Sequence, residues 1–87
     1  MTDLRLVWVF EGNTWHLKLP IGKAVFTLAH LYEAWGVWEV ITLDGYYPEI
    51  QGFNHQGTQA SCLVWLRALL KAHDLPALPP LPRSQPL

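Results

Sequence analysis

The chain opens on two runs in which hydrophobic and polar positions alternate, "LRLVWVF" and "TWHLKL", with Glu11-Gly12-Asn13 between them. A period of two is the pattern of a half-buried strand, and Gly-Asn is a good two-residue turn. Placing Gly12 and Asn13 in the turn sets the register. Phe10 then faces Trp15, Trp8 faces Leu17 and Leu6 faces Leu19, all apolar and all on one face. Glu11 with Thr14, Val9 with His16 and Val7 with Lys18 fall on the wetter face. A slip of one residue would scatter both sets, so turn chemistry and alternation specify the same hairpin.

Pro20-Ile21-Gly22 makes a corner, and the following "KAVFTLAHLYEAWG" can be read two ways. As a helix, Val25, Leu28, Ala29, Tyr32 and Trp35 share a stripe and Gly36 is a C-cap. As a strand, it pairs at once with the β-rich "VWEVITL" through a short turn at Glu33 to Gly36. The strand is the preferred reading. In that register His30 faces Glu39, Leu28 faces Ile41 and Phe26 faces Leu43. Leu31, Ala29 and Thr27 lie against Trp38, Val40 and Thr42 on the opposite face. Asp44-Gly45 then turns the chain into "YYPEIQGF", where Pro48 demands a short edge strand and Gly52 a bulge or an end.

"NHQGTQASCLVWLRALLKAHD" reads as a helix capped by Thr58 and stopped by Asp74 and Pro76. Leu63, Leu66 and Leu70, flanked by Cys62 and Leu69, form its buried stripe, with Arg67 and Lys71 on the wet side. The tail "LPALPPLPRSQPL" is proline-rich, so extended polyproline II or disorder is expected. The fold expected is therefore α+β. An antiparallel β-meander of four to five strands carries one C-terminal α-helix packed on one face. The alternative, with residues 23–35 helical, is ββαββα. Residues 1–75 form a single domain and 76–87 the tail.

Composition narrows the function. Half of the 87 residues are hydrophobic, five are tryptophan, and only 15% are charged. That composition excludes general disorder, and a small domain this apolar either packs unusually well or hides surface against a partner. A formal net charge of −1, with no basic stripe, lacks the electrostatic footprint of nucleic-acid binding. The single Cys62 excludes a disulfide scaffold. No signal peptide or membrane span is legible, and a cytoplasmic protein is expected.

Chemistry-bearing patterns are sparse. His16, His30, His55 and His73 match no zinc spacing, so no metal and no cofactor are expected. His30 with Glu39 is the one pair resembling acid/base chemistry, but no nucleophile stands beside it. A polar cross-strand pair explains it as well, and no enzyme is expected. "PPLPR" looks like a ligand for aromatic-lined grooves, against the plainer reading of a solvated tail.

The aromatic surplus carries more. If the helix covers Phe26, Leu28, Ile41, Leu43 and Tyr46, then Leu31, Trp38, Val40 and Tyr47 are left exposed on the other face. The protein-binding residues expected are Trp38, Tyr47, Leu31 and Tyr46. The competing reading is a sheet that curls and buries both faces itself. A nucleic-acid-binding alternative would use Arg5, His16 and Lys18 on the first hairpin.

The layout resembles the small orphan proteins common in bacteriophage and prophage genomes, a tryptophan-rich meander followed by one helix. The matching segments are "WVFEGNTWHLKL", "GVWEVITLDG", and "QGF" followed by "TQASCLVWLRALL". That resemblance implies a host-takeover or anti-defence factor, anti-CRISPR proteins among them, which occludes a surface of a host protein complex. It carries over no site residues. The expected function is a non-catalytic interaction factor of that kind. The alternatives are a small nucleic-acid-binding regulator and a homodimer using the same patch.

Overall fold

The computed structural model describes residues 4–43 and 45–82. Asp44 of the expected turn, the N-terminal residues 1–3 and Arg83 of "PPLPR" lie outside the described residues. The architecture is an antiparallel meander of five strands in the order β1-β2-β3-β4-β5, followed by one helix. The strands are β1 (Val7–Glu11), β2 (Thr14–Ile21), β3 (Ala24–Ala34), β4 (Val37–Thr42) and β5 (Asn54–Gly57), and the helix is α1 (Gln59–Ala72).

The first hairpin has the predicted register, with Phe10 opposite Trp15, Trp8 opposite Leu17 and Val9 opposite His16. Gly12 and Asn13 both have φ near +60°, as a two-residue turn matching strand twist requires. Residues 24–34 of the ambiguous segment are strand, not helix. β3 pairs with β2 on one side and β4 on the other, so tertiary pairing overrides its helical periodicity.

Two expectations about the second hairpin are corrected. The turn is Trp35-Gly36, not the four residues from Glu33 to Gly36. Glu33 therefore pairs with Trp38, Tyr32 with Glu39 and His30 with Ile41. The faces are corrected too, by a bulge. β3 pairs Ala29 with Leu17 but Thr27 with Lys18, leaving Leu28 as the extra residue. Such a residue breaks the alternation of faces. As a result Leu28 and Ala29, though adjacent, are both buried, together with Leu31. Phe26, Ala29, Leu31 and Val40 thus share the helix-covered face, while Ile41 lies on the other.

"YYPEI" is not a strand. Pro48–Ile50 form a short 3-10 helix with Pro48 in its first turn, a place where its missing N–H costs nothing. The fifth strand comes later, from "NHQG", which pairs Asn54 with Ile41 and Gly57 with Trp38. Thr42 anchors the connecting loop. Its backbone N–H donates to the Phe53 carbonyl at 2.8 Å, and the Gly52 N–H donates to its carbonyl at 3.0 Å. Its buried hydroxyl donates to the Ile50 carbonyl and accepts from the Phe53 N–H.

α1 begins at the predicted cap. The Thr58 hydroxyl accepts from the Ser61 N–H, and the Ser61 hydroxyl accepts from the Thr58 N–H, each at 3.0 Å, a reciprocal capping box. Cys62, Leu66 and Leu70 are buried, and Leu63, Trp65 and Leu69 pack around them. The proline-rich tail has no helix or strand up to residue 82, but that stretch packs on the rest of the chain. Leu78 is buried, Leu75 and Leu81 pack on the core, and the Trp8 indole N–H donates to the Pro79 carbonyl at 2.9 Å. Helix and tail together roof one face of the sheet. The other face has no layer over it among the described residues. No described helix is long and apolar enough to cross a membrane.

Candidate protein-interaction site

The β1–β2 and β3–β4 turns lie at the same end of the sheet, a consequence of meander order. Trp35 occupies the first position of the β3–β4 turn. It is fully exposed (100%) with φ +58°, and Gly36 follows at φ +80°. Turns of this type demand positive φ at both central residues, which is why Asn and Gly dominate them. A bulky side chain in the left-handed region is strained by about 1 kcal/mol, and Trp35 buries nothing in return.

A cavity opens on either side of this hairpin tip. On the roofed face, Phe10, Asn13, Trp15, Glu33 and Trp38 line about 340 Å³. Phe10 is 55% exposed, and its ring lies 4.9 Å from that of Trp15. On the open face, Tyr32, Ala34, Trp35, Val37, Glu39 and Gln56 line about 320 Å³. Exposed Val37 adds to the apolar surface there.

The open face carries polar side chains across its centre. His16 and His30, opposite one another on β2 and β3, meet edge to face with centroids 4.5 Å apart. Partial burial, and then the neighbouring His16 and Lys18, hold the His30 imidazole below its ordinary pKa of 6.5. One row further, the Tyr32 hydroxyl donates to Glu39 Oε1 at 2.5 Å, and the Asn54 amide donates to Oε2 at 3.1 Å. The bond from Tyr32, and then that from Asn54, keep the Glu39 carboxyl below the usual carboxylate range. Hydrogen bonding to Glu39 and desolvation raise the Tyr32 phenol. The expected His30–Glu39 pair does not form, because the two-residue turn moves Tyr32 into the position opposite Glu39. The network is a carboxylate held by a phenol and an amide.

The residues expected to bind protein are dispersed. Leu31 is 1% exposed, in the centre of the core. Trp38 is half-buried, and it lines the aromatic cavity on the roofed face. Tyr47 packs against the core and Tyr46 is exposed, their rings 5.0 Å apart, with Tyr46 also 5.0 Å from Phe26. They do not form one exposed patch, because the Leu28 bulge turns Leu31 and its neighbours inward. Of the nucleic-acid alternative, His16 and Lys18 do share the open face, beside Val7 and Val9 of β1, and Arg5 lies exposed just before β1. Cys62 is buried, its thiol pushed up by desolvation. No group of three or more metal-ligating side chains occurs among the described residues.

Trp35, Phe10 and Glu33 were absent from the sequence-based site. The available signal was Trp35-Gly36 itself, a tryptophan immediately before a turn glycine. Comparison of the chain with protein-family models, with curated proteins and with solved structures yields no match.

Proposed function

We propose that this chain is a non-catalytic protein-interaction module whose contact surface is the turn end of the sheet. Trp35 and Phe10 are its protruding anchors, and Trp38 and Trp15 its pocket. The observation that carries the reading is Trp35, a fully exposed aromatic side chain kept in a left-handed conformation. Strain of that kind points to a role outside folding, and tryptophan is the side chain most enriched where binding energy concentrates. The finer reading, a phage-encoded inhibitor occluding a host defence complex, rests on the resemblance in layout alone.

The test is affinity capture with the wild-type chain against Trp35→Asn and Phe10→Ser. Asn suits the turn better than Trp, so Trp35→Asn should raise stability by about 1 kcal/mol while releasing the partner. Both variants should keep the wild-type circular dichroism spectrum. Identical captured sets on all three baits would overturn the reading. Light scattering separates self-association, since a partner-free monomer rules out the homodimer. Nucleic-acid titration at low salt tests the alternative through Arg5, His16 and Lys18, where no binding eliminates it.

A further inference from the structure

We propose that the cavity between Phe10, Trp15, Trp38 and Glu33 binds a proline-rich, extended segment of a partner protein that carries a basic residue. This rests on the interaction reading above and names the chemistry of the partner.

Three observations converge. The first is that the chain already binds such a segment to itself. Its own "LPALPP" run packs on the roofed face, where Leu78 is buried and the Trp8 indole donates to the Pro79 carbonyl at 2.9 Å. Proline carbonyls are free to accept because a polyproline II helix has no internal hydrogen bonds. The second is that the aromatic surface continues past that point. Trp8 meets Trp15 edge to face at 6.4 Å, and Trp15 meets Phe10 at 4.9 Å. Trp15 and Phe10 then wall the cavity with Trp38. Aromatic-lined grooves are the usual receptors for this backbone, which arrives already ordered and so loses little entropy on docking.

The third observation is spacing and charge. Trp15 on β2 and Trp38 on β4 stand two strands apart and two residues out of line, since Trp15 pairs with Leu31 and Leu31 with Val40, a backbone separation of roughly 12 Å. A polyproline II helix rises roughly 3.1 Å per residue. A run of about four residues therefore reaches from Trp15 to Trp38. Glu33 is exposed and contributes the one charged side chain of this cavity, which fits a basic residue in the ligand.

The test titrates the full chain with a short synthetic proline-rich peptide containing arginine, followed by tryptophan fluorescence. Saturable binding is expected. Glu33→Lys should weaken it roughly tenfold, as loss of a charge pair at an interface does, and a peptide with glutamate in place of arginine should partly restore binding to that variant. Glu33 is exposed, so the variant should fold, and its circular dichroism and melting temperature check that it does. No saturable binding overturns the inference, as does binding indifferent to Glu33, which would mean displacement of the chain's own tail from Trp8. If peptide binding fails while Trp35-dependent capture persists, only this inference falls. If both fail, the interaction reading falls with it.

Discussion

Thr42 shows how one side chain can decide a loop. Among the described residues it is the only polar one that is buried, and its hydroxyl serves both the Ile50 carbonyl and the Phe53 N–H. Thr42→Val keeps the shape and strands both groups. We expect a loss of about 1–3 kcal/mol, read as a lower urea midpoint at unchanged slope. A neutral result would mean that water reaches these groups. Trp35 is the opposite case, a residue that lowers stability where it sits and for which Asn is the better turn former. Neither role was visible in the linear pattern. From sequence Thr42 reads as one more β-branched strand residue, and Trp35 as an interior position of a four-residue turn or, in the helical alternative, the last member of a stripe.

At the level of elements, the first hairpin and the helix cap were legible because their signals are local. Gly12-Asn13 and the flanking alternation agree on one register, and Thr58 and Ser61 lie three residues apart, as a capping box requires. The pattern places the second hairpin two residues out of register because Trp in a left-handed turn runs against propensity. It also makes "YYPEI" a strand, because a proline that tolerates a strand edge equally suits the first turn of a 3-10 helix. The tail, too, belongs to the fold more than its composition indicated. Leu78→Ala should cost about 2–3 kcal/mol, with a Trp8 fluorescence shift reporting exposure of the indole that binds Pro79. An unchanged melting temperature would show that the tail does not seal the core in solution.

The molecule as a whole is a slab, 41 × 25 × 19 Å along its principal axes, with one roofed face and one open face. The open face is expected to make its stability depend on pH. His30 sits against His16 and Ile41, with Lys18 near it and Glu39 engaged by Tyr32 and Asn54. Its folded pKa lies below 6.5, so the unfolded chain binds the proton more readily. The contribution of neutral His30 is therefore fully present above about pH 6.5 and is lost as pH falls below it. Chemical denaturation across that range should show stability falling on the acid side, with a shallower slope in His30→Asn. An unchanged slope would place the titration elsewhere.

By itself the sequence determined the α+β class, the antiparallel meander, the first hairpin's register and the site where the helix starts. Each follows from interactions within a few residues, which a linear pattern records directly. Only the tertiary structure decided which face the helix covers, where the fifth strand lies and which tryptophans remain at the surface. Those outcomes turn on one bulged residue, Leu28, and one two-residue turn, Trp35-Gly36. A single extra residue in a strand exchanges the faces of everything beyond it. Its energetic reason, the burial of Leu28 and Ala29 together in the core, exists only once distant segments are in place.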